Sequence, residues 1–138
     1  MKPELIELDF VPAEGGGILK IINESSAHYL GFGELYFSQI ALGVFRGWKR
    51  HTKMDSFVFV VEGIVSFHFY EDDGTCQTFS LEKATESRVG LRIPHGISFG
   101  FIAKSHQGAT LANFAQIAHS PVETIRPTDK EHECEWGK

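Results

Sequence analysis

The sequence predicts an all-β protein in which short antiparallel strands form a double-stranded β-helix, or jelly roll. About ten short runs of β-branched and aromatic residues alternate with turn signals that recur about every 8–12 residues. No segment has the pattern of a long amphipathic helix. Phenylalanine is unusually frequent, with 12 copies in 138 residues, which suits a tightly packed β core.

The predicted strands follow one another with glycine, proline or polar residues between them. Segment 12–17 is a turn or loop, and segment 23–33 is a polar loop. Asp73-Gly74 is a strong hairpin signal. Segment 82–89 is polar and leaves a helical turn and a loop equally open. The predicted strands span 5–11, 18–22, 34–40, 44–51, 56–61, 64–70, 77–81, 91–96 with its Pro-x-Gly turn, 97–102 and 110–117.

The run 64–70 shows the strand pattern most clearly. Its residues alternate, so that Val65, Phe67 and Phe69 share one face, while His68 lies on the other face with serine and tyrosine neighbours. The apolar face is predicted to lie in the core. His68 is predicted to be exposed or to be a hydrogen-bonded core histidine.

Length and charge predict one domain over residues 1–138, with a core at about 5–117 and a tail at 118–138. The formal net charge of −5 argues against general nucleic-acid binding. No apolar run is long enough to span a membrane, and no signal-peptide pattern is present. Cys76 and Cys134 are predicted to be free thiols in a reducing compartment, which indicates a cytoplasmic protein, and a disulfide is the alternative.

The basic segment 45–55 is the most distinctive part of the sequence, because it surrounds one histidine with cations. In extended backbone, Lys49, His51 and Lys53 share one face. Ammonium neighbours disfavour protonation of His51, so the sequence predicts a neutral imidazole, the form that a general base needs. In an acidic protein this local positive charge suits a small anionic ligand. A solvated basic edge strand is the structural alternative.

Polar residues on the predicted strands are candidate site residues, because small antiparallel barrels bind ligands in their mouth or interior. Each is also compatible with a structural role. At two-residue spacing His51 is flanked by lysines rather than metal ligands, and the three residues directly after 94–96 (Ile97, Ser98 and Phe99) include no histidine, so we predict no metal and no cofactor. The candidates are Tyr36, Arg46, Lys49, His51, His68, His95 and His119.

Four segments, in this order, resemble the cupin family of dTDP-4-dehydrorhamnose 3,5-epimerases and the related dTDP-sugar 3,4-ketoisomerases. They are 33–40 (GELYFSQI), 46–51 (RGWKRH), 61–63 (VEG) and 92–101 (RIPHGISFGF). The likeness runs from about residue 5 to residue 136. It implies a jelly-roll homodimer that binds a nucleotide-diphospho-4-keto-6-deoxysugar, dTDP-linked, and removes a proton next to the ketone without a metal.

The resemblance also implies roles for individual residues. Arg46 matches the arginine of the family's Arg-Gly motif and is implied to contact the diphosphate. His51 matches the second histidine of the ketoisomerases' His-x-His and is implied to be the base. Lys49 stands where the first of those histidines would be, and we assign it the stabilisation of the oxyanion. The remaining candidate substrate contacts are Tyr36, His95 and His119.

The main prediction is therefore a metal-free epimerase or ketoisomerase of deoxysugar and polysaccharide biosynthesis. Two departures from the family pattern motivate an alternative, because Ser56 and Ser98 stand where the family has a lysine and a histidine. The alternative is a non-catalytic cupin that binds a sugar nucleotide or a partner protein. A metal-dependent cupin oxygenase or isomerase is the third possibility.

Overall fold

The computed structural model describes residues 2–127, which form two five-stranded antiparallel sheets and a separate two-stranded hairpin. The helical elements are short: α1 at Ala84–Ser87 and a 3₁₀ turn at Pro121–Glu123. The strands are β1 (Glu4–Glu7), β2 (Asp9–Ala13), β3 (Gly16–Lys20), β4 (Glu34–Ile40), β5 (Phe45–His51), β6 (Ser56–Glu62), β7 (Ile64–Tyr70), β8 (Cys76–Glu82), β9 (Val89–Ile93), β10 (Ser98–Ala103), β11 (Ala109–Ala115) and β12 (Thr124–Ile125).

The strand order confirms the predicted jelly roll. The first sheet has the order β1-β9-β6-β11-β4, and the second has the order β12-β5-β10-β7-β8. Strands that are neighbours in a sheet are mostly remote in sequence, as in a sandwich whose chain crosses repeatedly between two layers. The hairpin β2–β3 pairs only with itself among the described residues.

The core lies between the two sheets and is built from the alternating apolar face of each strand. Val65, Phe67 and Phe69 of β7 are fully buried, as their alternation predicts. They pack with residues of the opposite sheet, among them Val60 of β6 and Leu111 of β11. Complete burial of a phenylalanine side chain contributes about 1.5–3 kcal/mol, so this layer fixes the position of β10 and β5 beside β7.

The other face of β7 is buried as well. His68 is 4% exposed, and its ring nitrogens lie 3.1 Å from Oγ of Ser66 and 3.2 Å from Oγ1 of Thr78. Phe45 lies edge-on to the His68 ring, with 6.3 Å between the ring centroids. Of the two predictions for this residue, the hydrogen-bonded buried histidine is the one observed.

The N-terminal strand predicted over 5–11 is interrupted at Leu8. The backbone N–H of Leu8 donates to the carbonyl of Arg88, and its side chain is buried in a second apolar cluster with Phe57 and Ala84. As a result β1 joins the first sheet through β9, whereas β2 turns away and pairs with β3. The break therefore follows from which strands β1 and β2 pair with, and the local sequence pattern does not indicate those partners.

Segment 82–89 contains the helical turn α1, which settles the choice that the sequence left open. Within residues 2–127, no helix has the length and apolar character needed to cross a membrane. The prediction of a free thiol is wrong for Cys76, which is disulfide-bonded. Cys134, the other cysteine of that prediction, lies outside the described residues. The cysteines therefore give no support to a reducing compartment.

Truncation of a core side chain is expected to destabilise the protein strongly. Leu111 is 1% exposed, so Leu111→Ala should lower the free energy of unfolding by about 2–5 kcal/mol, because the lost apolar contacts leave a cavity. The matched control is Leu42→Ala at a half-exposed position, where a change within about 0.5 kcal/mol is expected. Urea unfolding measures both, and equal losses would contradict the assigned core.

Candidate functional site

Strand β5 carries three nitrogen-bearing side chains along the inner side of its sheet. It pairs with β10, with Lys49 opposite Phe99 and Arg46 opposite Phe101. Nζ of Lys49 lies 5.4 Å from the centroid of the Phe99 ring, and Cζ of Arg46 lies 5.6 Å from that of Phe101. The His51 ring lies 6.0 Å from the Phe99 ring. Because both phenylalanines belong to the core, the three polar side chains line one inner wall.

A β-bulge explains how Arg46 and Lys49 share this wall although three positions separate them. The register shifts so that Lys49 and Gly47 oppose consecutive residues of β10, which leaves Trp48 as the extra residue. Gly47 has a φ of 148°, and a Cβ there would collide with the backbone of Gly100. Glycine is therefore required at the bulge, and the bulge places the exposed Arg46 on the same side of the strand as Lys49.

A buried carboxylate holds the imidazole of His51. Nδ1–H of His51 donates to Oε1 of Glu123, and the two side chains are 6% and 4% exposed. The second oxygen, Oε2, accepts the backbone N–H groups of Lys53 (3.2 Å) and Met54 (3.1 Å). Thr124 Oγ1 donates to Oε1 over 3.1 Å. This network fixes the tautomer of His51 and leaves Nε2 with its lone pair.

Residues of the predicted tail hold Glu123 in place. The 3₁₀ turn Pro121–Glu123 leads into β12, which extends the second sheet beside β5 with Thr124 opposite His51. The backbone N–H of Thr52 donates to the carbonyl of Glu123 over 2.8 Å. Backbone pairing therefore fixes the carboxylate, so its position does not depend on the His51 contact alone.

The charge states of this pair follow from burial and hydrogen bonding. Burial alone raises the pKa of Glu123, but the hydrogen bonds from His51 and from the two backbone N–H groups outweigh it and hold that pKa below its usual value. Burial lowers the pKa of His51 by more than the adjacent carboxylate raises it. The pair is therefore a neutral imidazole with a carboxylate, the arrangement of a general base with an orienting acid residue.

The neutral state of His51 has a different main cause from the predicted one. Burial comes first, and the positive charges of Lys49 and His119 add smaller effects in the same direction. Lys53 does not lie on the strand beside His51. It lies in the turn after β5 with an exposed side chain. The prediction that Lys53 shares one strand face with Lys49 and His51 is therefore wrong.

A cavity of about 280 Å³ opens beside this wall. Arg46 and Lys49 line it together with the exposed Arg126, which follows β12. Burial lowers the pKa of Lys49, Arg126 and Arg46 lower it further, and Glu123 opposes them. Cations that converge on one cavity make a suitable site for a phosphate or diphosphate group.

A larger cavity of about 940 Å³ is lined by residues of the turn that joins β6 to β7 and by residues of segment 105–110. Arg46 and Lys49 line the smaller cavity and not this one, whereas His51 and Glu123 line neither of the two. We therefore assign the site to the β5 wall, where the buried titratable groups meet.

Tyr36 lies on β4, the edge strand of the opposite sheet, where it pairs with Asn113 of β11. Burial and the charge of Glu34 raise the pKa of Tyr36, and the charges of Arg46 and Glu123 also reach it. A guanidinium nitrogen of Arg46 donates to the carbonyl of Gln39, also on β4, over 3.1 Å. Tyr36 is therefore close enough to Arg46 and Glu123 for their charges to act on it, although it does not line the Arg46–Lys49 cavity.

The two remaining predicted histidines lie differently. His119 is exposed, its backbone N–H donates to Oε1 of Glu34 over 3.1 Å, and its charge lowers the pKa of His51. His95 is directed to Asp55, which accepts its backbone N–H and contacts its Nδ1 over 2.9 Å. His95 is not among the residues that line the Arg46–Lys49 cavity. Neither histidine lines this cavity, and only His119 lies close enough to His51 for its charge to lower the pKa of that residue.

Sequence reasoning missed Glu123 and Arg126. Both lie in the polar segment after residue 117, where no strand pattern indicates a fixed position. The proline at position 121 is a local signal for the start of a helical turn, but nothing nearby identifies His51 as the partner of a residue 72 positions away. Only the pairing of β12 with β5 joins them.

Comparison with solved structures shows what the chain resembles. It matches the dTDP sugar isomerase from Desulfovibrio desulfuricans G20 with 29% identity and a TM-score of 0.85, over 97% of this chain and 90% of that one. It matches the dTDP-4-dehydrorhamnose 3,5-epimerase from Elizabethkingia anophelis NUHP1 with 18% identity and a TM-score of 0.81, over 99% of this chain and 81% of that one. It matches a sugar 3,4-ketoisomerase from Thermoanaerobacterium thermosaccharolyticum in complex with TDP with 17% identity and a TM-score of 0.78, over 94% of this chain and 90% of that one.

No protein-family model matches the sequence, and the comparison with curated proteins gave no match. The structural matches nevertheless cover almost the whole chain and share one architecture. They confirm the predicted resemblance: the chain has a cupin-type jelly-roll fold, and its structural neighbours are dTDP-sugar epimerases and 3,4-ketoisomerases.

Proposed function

We propose that this cupin is an epimerase or ketoisomerase that acts on a nucleotide-diphospho-4-keto-6-deoxysugar, with dTDP as the nucleotide. One observation carries the proposal: a buried, neutral His51, oriented by Glu123, lies on the same wall as Lys49 and Arg46. The neighbours named as dTDP-sugar isomerase and dTDP-4-dehydrorhamnose 3,5-epimerase support the choice of substrate.

The proposed chemistry begins with removal of a proton from the carbon next to the ketone. Nε2 of His51 accepts this proton, and the Glu123 carboxylate stabilises the imidazolium that forms. The electron pair of the C–H bond moves towards the carbonyl, where positive charge at Lys49 stabilises it. Return of a proton to the opposite face of the same carbon inverts it, whereas return to the carbon of the former ketone moves the carbonyl.

The other groups of the site fit the rest of such a substrate. In the proposal, Arg46 and Arg126 bind the diphosphate, because paired guanidinium groups suit phosphate oxygens. Tyr36 and His119 contact the sugar from the β4 side of the opening. We assign no substrate contact to His95, because its ring is directed to Asp55.

We propose that the reaction needs neither a metal nor a cofactor. Within residues 2–127, no three histidine, cysteine, aspartate or glutamate side chains converge as a metal site requires. His51 is instead engaged through Nδ1 with Glu123. Activity that survives dialysis against a strong chelator would agree with this, and activity restored by one added metal would contradict it.

Deuterium exchange tests the proposed reaction. The protein is incubated in D₂O with dTDP-4-keto-6-deoxyglucose and with other keto-sugar nucleotides, and incorporation at C3 and C5 is followed by NMR. We expect enzyme-dependent exchange at one of these carbons, with a new product stereoisomer or ketoisomer. Tight binding without exchange would instead favour the alternative, a non-catalytic cupin that binds a sugar nucleotide.

Removal of the cations is expected to weaken nucleotide binding. Arg46→Ala or Arg126→Ala should each raise the Kd for TDP about 10- to 100-fold, because each loses a charge-assisted contact worth about 1.5–3 kcal/mol. The matched control is Arg50→Ala on the same strand, because Arg50 lies near Asp72 rather than in the cavity. Isothermal titration calorimetry measures all three. An unchanged Kd for Arg46→Ala would contradict the assigned diphosphate site.

We further propose that the protein is a homodimer that acts in the cytoplasm, in deoxysugar and polysaccharide synthesis. Exposed apolar residues on the N-terminal strands support the dimer: Leu5, Val11 and Ile18 are each more than two-fifths exposed. A second subunit would cover them by strand pairing. Analytical ultracentrifugation should give a dimer for the full chain and a monomer for Val11→Asp/Ile18→Asp, and a monomeric wild type would contradict this.

A further inference from the structure

Residues 52–54, directly after β5, form a turn that binds Glu123. The backbone N–H groups of Lys53 and Met54 donate to its Oε2 over 3.2 and 3.1 Å. The backbone N–H and the hydroxyl of Thr52 donate to its backbone carbonyl over 2.8 and 2.9 Å. Of these three residues only Met54 is buried. The geometry of this Glu123-binding turn therefore depends on how its two ends are attached to the rest of the protein.

Both ends are attached to one neighbouring segment, the Pro-x-Gly turn that joins β9 to β10. Before the Glu123-binding turn, the carbonyl of His51 accepts the backbone N–H of Gly96 over 2.8 Å. After it, Oδ1 of Asp55 accepts the backbone N–H of His95 over 2.8 Å and lies 2.9 Å from Nδ1 of its ring. The backbone N–H groups that bind the Glu123 carboxylate thus lie between two hydrogen-bonded attachments.

Only the second attachment depends on a side chain, that of Asp55. This side chain is 14% exposed, and the backbone carbonyl of the same residue accepts the N–H of Gln116 over 3.2 Å at the end of β11. Asp55 is not among the described residues that line the Arg46–Lys49 cavity. Its hydrogen bonds lead instead to the two turns beside His51, so a contact with substrate does not account for it.

We propose that Asp55 is a positioning residue: through His95 it fixes the Glu123-binding turn, and this turn aligns the carboxylate that orients the ring of His51. The inference rests on the proposed function, because it assumes that His51 is the base. It deepens that function by assigning a role to a pair of residues outside the cavity. Hydrogen-bond donors that are already in place need not reorganise when positive charge forms on the imidazole.

The effect of Asp55 is expected to reach the base through Glu123. The N–H groups of Lys53 and Met54 help to hold the pKa of Glu123 below its usual value, although burial raises it. A displaced turn would weaken both hydrogen bonds, so the buried carboxylate would be held less firmly against His51. A base that is misplaced by about 1 Å can lose about 100-fold in rate.

Substitutions of Asp55 test this role in the deuterium-exchange assay with dTDP-4-keto-6-deoxyglucose. Asp55→Ala removes the acceptor and should lower kcat about 10- to 100-fold, while KM and the Kd for TDP stay within about threefold. Asp55→Asn keeps an oxygen for the N–H of His95 and should lose less than about tenfold. The matched control is Asp73→Ala, which should leave kcat unchanged. Asp73 also accepts a backbone N–H, that of Thr75 over 2.8 Å, but in the β7–β8 hairpin.

NMR of ¹⁵N-labelled protein reads the positioning without any substrate. The Nδ1–H of His51 donates to a buried carboxylate, so its proton should resonate far downfield, and its absence from His51→Gln identifies it. Asp55→Ala should shift or remove this resonance and shift the amide resonances of Lys53 and Met54. Asp73→Ala should leave all three in place. A residue that only supported the fold would change the urea unfolding midpoint and none of these signals.

Each outcome decides the inference. Slower exchange together with an altered His51 resonance in Asp55→Ala, both absent from Asp73→Ala, supports it. An Asp55→Ala protein that loses stability but keeps the wild-type kcat and resonance overturns it, and so does a lower kcat with an unaltered resonance. Where Asp55→Ala does not fold, the same two measurements on Asp55→Asn decide. A wild type without exchange removes the proposed function, and the resonance alone then supports or overturns the positioning role.

Discussion

Replacement of His51 by glutamine is expected to lower the rate of deuterium exchange next to the substrate ketone by about 10²–10⁴-fold. The amide can occupy the same buried space, but its nitrogen and oxygen cannot accept a proton at neutral pH. Nε2 of His51 is the lone-pair nitrogen at this wall, because Nδ1–H is engaged with Glu123. NMR of the substrate in D₂O measures the rate, and calorimetry with TDP measures binding separately.

The matched control for this prediction is His106→Gln. His106 lines the larger cavity rather than the Arg46–Lys49 cavity, so its replacement should leave the exchange rate unchanged. Binding of TDP by His51→Gln should stay within about threefold of wild type, which corresponds to less than about 1 kcal/mol. A His51→Gln protein that folds, binds TDP and exchanges at the wild-type rate would falsify the assignment of the base.

The fold was largely predictable because strand residues alternate with the period of the sheet. Strands β4 and β7 were predicted with their observed ends, since aromatic and β-branched residues mark both faces of each strand and turn residues bound them. The break at Leu8 was not predictable, because it depends on a hydrogen bond to Arg88, far away in sequence. Local pattern thus identifies strands, while pairing partners decide where they end.

The site was predictable only in part, for the same reason. Lys49 and His51 share the inner wall as a two-residue spacing implies, but Arg46 reaches it through a bulge that involves the backbone of Gly100. Glu123 lies in a segment without a strand pattern and is joined to His51 only by the pairing of β12 with β5. The histidine that we propose as the base could be chosen from sequence, whereas the carboxylate that orients its ring required the three-dimensional structure.

Glu123→Gln is expected to lower the exchange rate by about 10²–10⁴-fold, by analogy with loss of the orienting carboxylate in a Ser-His-Asp triad. The amide keeps an oxygen for hydrogen bonding but no longer stabilises an imidazolium, which must form when His51 takes the substrate proton. Disturbance of this buried network should also lower the free energy of unfolding by about 1–3 kcal/mol. Deuterium exchange followed by NMR measures the rate, and urea unfolding measures the free energy of unfolding.

The pH dependence of the rate distinguishes this orienting role from a merely structural one. Only neutral His51 accepts a proton, so the rate falls as pH drops through the pKa of His51. Because burial lowers that pKa, wild-type activity should persist below a pH of about 6.5, the usual value for histidine. Glu123 opposes this shift and raises the pKa of His51. Loss of the Glu123 charge should therefore move the acidic limb of the profile, the range in which the rate falls with falling pH, to still lower pH. Glu86→Gln, at an exposed position beside Lys83, should leave the limb unchanged. A Glu123→Gln protein that loses stability but keeps the wild-type limb and rate would show that the carboxylate only supports the fold.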